Sequence, residues 1–184
     1  MRHWIEAIFV HIINVEIKAR CGDPERVRNV LRSHPARFAG TDHQVDTYFR
    51  VPAGRLKLRE GNIENALIYY DRQNESGPKQ SDVLLHVVSP NSGLKEILTK
   101  VLGVLAVVDK QREIYYVANV KFHIDTVQGL GGFVEIEAAG DEHSDRGRLQ
   151  EQCRDYVEQF AIREDDLVAE SYSDMVTRAK TEQG

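Results

Sequence analysis

The sequence predicts one α+β domain dominated by antiparallel β-strands, with helices packed against one face of the sheet. Short apolar runs are separated by turn residues along the whole chain, three segments have helical spacing, and several strands alternate charged with apolar residues. The chain has 184 residues, enough for one domain with a substantial core, and its apolar share of 41% is ordinary for a folded protein.

The composition excludes several functional classes. A formal net charge of −5 argues against a general nucleic-acid binder, which would carry a basic excess. Cys21 and Cys153 are far apart and form no CxxC pair, so we expect free thiols and a cytoplasmic location. The apolar stretch Trp4–Ile13 is too short to span a bilayer and no cleavage motif follows it, so we expect neither a membrane partner nor a signal peptide.

The first half of the chain is predicted to contain four strands and one helix. The first strand covers Ile8–Arg20, and residues 1–12 form an N-terminal extension together with the start of this strand. Asp23 and Pro24 provide the N-cap and first position of a helix that ends near His34. Three short strands punctuated by turns follow at Val45–Val51, Arg55–Glu60 and Ala66–Arg72.

The second half is predicted to begin with a polar loop, Asn74–Ser81, followed by a strand over Asp82–Val88 and a helix over Pro90–Leu102. Three more strands are expected at Val104–Val120, Lys121–Val127 and Gly132–Ala139. A charged amphipathic helix then covers Glu142–Phe160. The remaining tail is weakly patterned, and we expect residues 177–184 to be loose within a single domain of residues 1–184.

Five predicted strands place ionisable side chains on one face and apolar side chains on the other, because residues two apart on a strand share a face. These charged faces consist of Glu16 and Lys18; Arg55, Lys57 and Arg59; Lys110 and Arg112; Lys121, His123 and Asp125; and Glu135 and Glu137.

This charge pattern has two interpretations. In the first, the charged face of an open antiparallel sheet meets water. In the second, about eight strands close into a barrel with a charged lumen and helices outside, as the segregation of cations from anions favours. Buried cations need anions, so such a barrel would take a polyanion such as a triphosphate, and its carboxylates would take Mg²⁺ or Mn²⁺. The sequence contains neither GxxxxGK[ST] nor GxGxxG, so other phosphate sites are unsupported.

Five short motifs occur in order along the chain: Asn14–Lys18, Asp46–Phe49, Gly54–Glu60, Lys110–Arg112, and the segment from Asp125 through Gly129–Gly131 to Glu137. Together they resemble the CYTH superfamily, the triphosphate tunnel metalloenzymes, and most closely its class IV adenylate cyclases. The resemblance implies an eight-stranded antiparallel tunnel, a divalent metal and a triphosphate substrate.

The resemblance also implies roles for individual residues. Metal-binding carboxylates are implied at Glu16 and Glu135, with a third acidic position at Asp125. Phosphate-binding positions are implied at Lys18, Arg59, Lys110 and Arg112. Strand parity and proximity in sequence add phosphate ligands at Arg55, Lys57, Arg72 and Lys121, and a further metal ligand at Glu137.

Two positions stay open. Asn14 stands where the family has the first glutamate of its ExExK strand; an amide oxygen can coordinate a metal but adds no negative charge. His123 lies on a charged face, where it is a proton shuttle, a phosphate ligand or a tunnel histidine without a chemical role.

The sequence therefore predicts a metal-dependent enzyme acting on a triphosphate, first of all an adenylate cyclase converting ATP to cyclic AMP and pyrophosphate. One alternative is a triphosphatase that hydrolyses inorganic, thiamine or nucleoside triphosphate. The second alternative is a non-catalytic module that binds triphosphate or polyphosphate, with Asn14 marking lost chemistry. The expected partner is the small triphosphate, without nucleic acid or membrane, and the chain is expected to be a monomer or a homodimer.

Overall fold

The computed structural model describes residues 9–71, 77–141 and 143–182, and within them the chain forms a closed antiparallel barrel of eight strands. The strands are β1 (Phe9–Arg20), β2 (Arg37–Phe49), β3 (Arg55–Gly61), β4 (Ala66–Asp71), β5 (Lys79–Val87), β6 (Val104–Val117), β7 (Val120–Val127) and β8 (Gly131–Gly140). The helices are α1 (Pro24–Ser33), α2 (Leu94–Leu102), α3 (Arg146–Gln159) and α4 (Tyr172–Thr181).

Neighbouring strands follow the order β1-β5-β4-β3-β2-β6-β7-β8 around the barrel, and β8 pairs back with β1. The predicted eight-stranded antiparallel barrel with helices outside is therefore confirmed. None of the helices in the described ranges combines the length and hydropathy needed to cross a bilayer.

The outer face of β1 shows which way the charged faces point. Its odd-numbered residues, from Ile13 to Ala19, are buried in one cluster with Val27 of α1 and with Leu149 and Cys153 of α3. A fully buried aliphatic side chain contributes about 1.5–3 kcal/mol, so this packing fixes the orientation of the strand. The even-numbered residues of β1 must then face the lumen, which rules out an open sheet with its charges in water.

Helix α4 lies where the sequence pattern is weak. A capping box forms at its start: the Ser171 hydroxyl accepts from the Asp174 amide, and the Asp174 carboxylate accepts from the Ser171 amide. Tyr172 and Met175 are buried against strand residues inside one end of the barrel. The expectation of a loose tail from residue 177 is wrong as far as Thr181, because the cap and these two side chains hold a helix without a long apolar stripe.

Two strands begin earlier than predicted. β2 starts at Arg37 rather than Val45, because this polar segment pairs along β6 with a shift in register at Gly40, where φ is 133°. β5 starts at Lys79, inside the predicted polar loop, because Lys79 and Ser81 pair with β1. In both cases pairing with a long neighbouring strand outweighs local composition.

Other boundaries shift by a few residues. A turn at Ala118–Asn119 divides the predicted strand Val104–Val120, and Ala118 has a φ of 50°. α2 begins at Leu94 rather than Pro90, after a turn that ends at Gly93 with a φ of 76°. The predicted boundaries at Ile8, Arg72 and Glu142 lie outside the described residues, as does most of the N-terminal extension.

Candidate functional site

The lumen of the barrel contains a cavity of about 640 Å³, lined by side chains from all eight strands and from the start of α4. We call the end that contains Ser171 and Tyr172 the floor. We call the opposite end, where the β3–β4 connection and the β6–β7 turn lie, the mouth. Charged side chains cover much of the wall between them, and the arrangement depends on a few shared carboxylates.

Asp46 of β2 is the centre of the first charged group. Its carboxylate accepts from Lys57 Nζ at 3.0 Å, from Arg59 Nε at 2.9 Å and from Lys110 Nζ at 2.7 Å. Burial alone would raise the pKa of Asp46, but the three cations outweigh it and hold this pKa well below its usual range. Asp46 is 1% exposed, so it acts as the internal counterion of these three groups.

Lys110 is the most perturbed cation of this group. Burial lowers the pKa of Lys110 to about 7; Asp46 opposes the change, whereas the neighbouring charges of Arg112 and Arg59 add to it. Lys110 therefore changes its charge close to neutral pH, and an additional anion beside it would favour the charged form.

Arg112 of β6 organises a second charged group. Its Nε donates to Asp125 at 2.7 Å and its Nη2 donates to Glu135 at 2.6 Å. The Tyr172 hydroxyl donates to Asp125 at 2.8 Å. Lys18 Nζ lies 3.2 Å from Glu135 and 3.9 Å from the centroid of the Tyr172 ring, so this tyrosine joins α4 to both cations.

Glu135 is held in its charged form by these neighbours. Burial would raise its pKa, but Arg112, Lys18 and a hydrogen bond with His123 hold the pKa of Glu135 well below its usual range. In Tyr172, burial and the adjacent carboxylates Asp125 and Glu135 raise the pKa well above its usual value. The phenol therefore stays protonated and acts as a donor.

An acidic group lies nearer the mouth. Glu16 of β1 and Glu137 of β8 are direct cross-strand partners, and both line the cavity. His123 Nδ1 lies 3.2 Å from Glu135 and 3.4 Å from Glu137, and one ligand atom from each of these three residues fits within 4.8 Å of the others. Burial would raise the pKa of Glu137, but the charge and hydrogen bond of His123 lower it to about 2.

This acidic group fits a divalent cation. Carboxylate oxygens brought together from neighbouring strands are ligands that Mg²⁺ and Mn²⁺ prefer. Asn14, two residues from Glu16 on the same face of β1, has a buried Oδ1 that accepts no hydrogen bond from the described residues. The ring Nε2 of His123 is likewise buried with no hydrogen-bond partner in the described part of the chain. The Asn14 oxygen and the His123 nitrogen are therefore further candidate metal ligands near the carboxylates.

Glu64, on the connection between β3 and β4, bridges cations across the mouth. Its carboxylate accepts from Arg59 at 2.9 Å and from Lys121 of β7 at 2.5 Å. Burial would raise the pKa of Glu64, but Lys121 and Arg59 hold it far below its usual value. The connection is fixed by Asp42, which accepts from the Ile63 and Glu64 amides at 2.9 and 3.0 Å.

The structure brings most of the sequence-predicted site residues to one cavity. Its lining includes Asn14, Glu16, Lys18, Lys57, Arg59, Lys110, Arg112, Lys121, Glu135 and Glu137. Asp125 and His123 are buried behind this lining, where each contacts a lining residue. Arg55 does not line the cavity; it forms an ion pair of 2.8 Å with Asp174 of α4. Arg72 lies outside the described residues.

Sequence reasoning assigned no role in the site to Asp46, Glu64 or Tyr172. Strand parity applied to Val45–Val51 would have placed Asp46 on one face with Tyr48, and both line the cavity. Glu64 lies in a connection without periodicity. The expectation that the cations need a ligand as their counterion is also corrected, because Asp46, Glu64, Asp125 and Glu135 already serve several of them.

The chain is similar to known proteins over most of its length. A Methanocaldococcus jannaschii protein, named as a candidate adenylate cyclase, is 24% identical over 173 residues, 89% of this chain and 98% of that protein. A Pyrococcus horikoshii protein of solved structure has a TM-score of 0.74 at 23% identity, covering 89% of this chain and 99% of its own. A Hippeastrum protein of solved structure is described as a candidate adenylyl cyclase with a dominant triphosphatase activity. It has a TM-score of 0.61 at 15% identity, covering 91% of this chain and 96% of its own.

The family assignment comes from a match that includes parts of all eight strands. The CYTH domain model matches residues 13–172, a range that begins in β1 and ends at the first residue of α4. This range includes every motif that carried the resemblance in the sequence. The chain therefore belongs to the CYTH domain family.

Proposed function

We propose that this protein is a metal-dependent enzyme that converts ATP to cyclic AMP and pyrophosphate inside its barrel. The observation that carries the proposal is the convergence of Lys57, Arg59 and Lys110 on one side of a cavity whose other side holds Glu16 and Glu137. Cations and carboxylates in one cavity can hold a triphosphate together with its divalent cation. Lys18, Arg112 and Lys121 extend the cationic surface. Arg55, together with Arg72 outside the described residues, remains a candidate phosphate ligand.

In this proposal the cations position the phosphates and stabilise the charge that develops on them. Arg59 offers two planar N–H donors, whereas Lys57 and Lys110 act as point charges. Glu64 bridges Arg59 and Lys121 as a phosphate oxygen would, so bound triphosphate competes with its carboxylate. Asp125 orients Arg112 and does not itself contact substrate.

Glu16, Glu135 and Glu137 are the proposed ligands of Mg²⁺ or Mn²⁺, with Asn14 and His123 as neutral donors beside them. When bound, such a cation neutralises phosphate charge and polarises the attacking hydroxyl. Glu135 also holds Lys18 and Arg112, so its carboxylate joins the two functions of the cavity.

The cyclase reaction forms a bond between the ATP 3′ oxygen and the α-phosphorus and breaks the bond from that phosphorus to the bridging oxygen. Pyrophosphate leaves with the bond electrons, and the 3′ hydroxyl releases its proton. A second candidate is a triphosphatase, in which a water oxygen attacks the γ-phosphorus. The triphosphatase activity of the structurally similar Hippeastrum protein supports this second candidate.

Incubation of the purified protein with ATP and either Mg²⁺ or Mn²⁺ tests the proposal. Cyclic AMP with pyrophosphate supports the cyclase, whereas orthophosphate with ADP supports the triphosphatase. Tight triphosphate binding without turnover under either metal would instead indicate the non-catalytic module.

Glu137→Gln should raise the metal concentration needed for half-maximal activity by about 10–100-fold. The substitution removes one of the two opposed carboxylates on β1 and β8 while keeping the shape of the side chain. Titration with Mn²⁺, followed by activity and by metal binding, measures the change. Glu60→Gln, in an exposed pair with Lys95, is the matched control and should leave the titration unchanged. An unchanged metal requirement in Glu137→Gln would contradict this assignment.

ATP binding at pH 8 should take up a proton at Lys110. The pKa of Lys110 is about 7, so much of the lysine is neutral at pH 8, and an adjacent phosphate favours its charged form. Affinity should therefore fall as the pH rises above 7. Calorimetry in two buffers of different ionisation enthalpy measures the uptake, which Lys110→Met should abolish and the exposed-site control Lys95→Met should retain. Equal uptake in both variants would exclude Lys110 as its source.

A further inference from the structure

The wall of the cavity is not charged all the way round. Strands β4 and β5 contribute mainly apolar side chains, among them Ile68, Val83, Leu85 and Val87. Ile12 of β1 lines the cavity beside them. A triphosphate gains nothing from such a surface, because all its outer atoms are charged or hydrogen-bonding oxygens.

These apolar residues form one continuous strip, because they are neighbours in the strand register. Ile12 lies opposite Val83 on the β1–β5 ladder. On the β4–β5 ladder Leu85 lies opposite Ile68, and Val87 lies opposite Ala66. We call Ile12, Ile68, Val83, Leu85 and Val87 the apolar strip.

The apolar strip extends from the floor cluster that contains Ile68, Tyr172 and Met175, against which Val83 and Leu85 pack, to Val87 at the mouth. Along β5, Lys79 and Ser81 come first and the apolar residues follow, up to Val87 beside the start of β4. Val83 and Leu85 are half-buried and Val87 is 51% exposed, so these side chains retain contact with the space inside and above the cavity. Apolar area left open in a cavity favours a ligand that covers it.

The mouth also carries groups suited to a flat heterocycle. Tyr116 and Asn119, at the end of β6 and in the β6–β7 turn, line the same cavity. The Asn119 carbonyl accepts from the Ala139 amide at 3.1 Å, and Ala139 lies opposite Asn14 on the β1–β8 ladder, two residues along β1 from Ile12. The turn and the apolar strip are thus joined through β8 and β1 around the mouth.

We propose that the apolar strip receives the uncharged aromatic base of a nucleoside triphosphate, and that it makes the protein select organic over inorganic triphosphate. This inference rests on the proposed function, since it places the triphosphate on the cations and the base on the strip. The phosphates then lie toward Arg59 and Lys110, and the base lies against the apolar strip.

The test compares the affinities of ATP and inorganic tripolyphosphate for three proteins: the parent, Leu85→Asn and Leu84→Asn. Leu85 lies in the strip, whereas its neighbour Leu84 is 36% exposed and does not line the cavity, so it is a matched control on the same strand. Calorimetry is carried out with Ca²⁺ as the divalent cation, and product formation is checked by chromatography in each sample.

We expect Leu85→Asn to weaken ATP binding by about tenfold, equivalent to about 1.4 kcal/mol, and to leave tripolyphosphate binding within about twofold. Retained tripolyphosphate binding also shows that the variant is folded. Leu84→Asn should change neither affinity. If Leu85→Asn leaves the preference for ATP over tripolyphosphate unchanged, the inference is wrong while the proposed function stands. If the parent binds neither ligand, the proposed function fails and the inference fails with it.

Discussion

Asp46→Asn should destabilise the protein by about 3–5 kcal/mol, because it removes the internal counterion of three cations. Lys57, Arg59 and Lys110 all contact this carboxylate, and the Arg59 and Lys110 side chains are almost completely buried. An amide keeps the size of the side chain but supplies no charge, so the three cations would be left to repel one another. Urea unfolding, followed by circular dichroism, measures the loss.

Two further measurements make the Asp46 prediction specific. Asp109→Asn removes an exposed carboxylate that pairs with His43, and it should change stability by no more than about 0.5 kcal/mol. Inorganic tripolyphosphate should stabilise Asp46→Asn more than it stabilises the parent, because the anion replaces the missing charge. A loss below about 1 kcal/mol, or equal stabilisation of both proteins, would show that Asp46 is not the main counterion.

The pH dependence of stability follows from the direction of the Asp46 pKa. The pKa is depressed in the folded protein, so the stabilisation is complete above the unfolded value of about 3.9. It is lost as the pH falls below that value toward the folded pKa. Asp46→Asn should accordingly show a shallower loss of stability than the parent below about pH 4.

Arg59→Ala should lower kcat/KM. The expected decrease corresponds to a loss of about 2–4 kcal/mol of transition-state stabilisation, the range expected for one oriented cationic donor. Arg59 contacts both Asp46 and Glu64 and lines the cavity, which places its guanidinium where phosphates are proposed to bind. Asp46 retains Lys57 and Lys110 in this variant, so the barrel should still fold. Initial rates with ATP across a range of substrate concentrations give the value.

The contribution of the Arg59 charge can be measured separately from that of its planar donor geometry. Arg59→Lys keeps the charge but loses the planar pair of donors, so it should recover only part of the rate. Lys95→Ala, at an exposed cation paired with Glu60, should leave kcat/KM unchanged. Full activity in Arg59→Ala would remove Arg59 from the site and with it the main support for a phosphate position on β3.

Much of the barrel could be predicted because two-residue periodicity is a local property. Lys18, Arg59 and Glu135 were placed on charged faces from alternation within their own strands, and the closed barrel turns all three inward. The apolar alternation of β1 was equally readable, and it packs on α1 and α3 as the pattern requires. Resemblance to the CYTH family then supplied the closed eight-stranded tunnel, which periodicity alone cannot give.

The partners of these residues could not be predicted in the same way. Glu64 reaches Lys121 from a connection 57 residues earlier in the chain, and Tyr172 reaches Asp125 from 47 residues later. Such pairings depend on how the barrel closes and on where α4 docks, and no local pattern encodes either. Arg55 shows the same limit: its parity is that of Lys57 and Arg59, yet the docked α4 supplies Asp174 as its partner.

The closure of the barrel between β1 and β8 also determines when this cavity can form during synthesis. The two strands that meet there carry Lys18 and Glu135, which are more than a hundred residues apart in the chain. Contacts over such separations are made late and slow the folding of a domain. A nascent chain that has emerged only as far as β7 contains the cationic strands but lacks the carboxylates of β8. One edge of β1 is then still without its partner strand. The cavity should therefore appear in a single late step, once residues beyond 140 have left the ribosome.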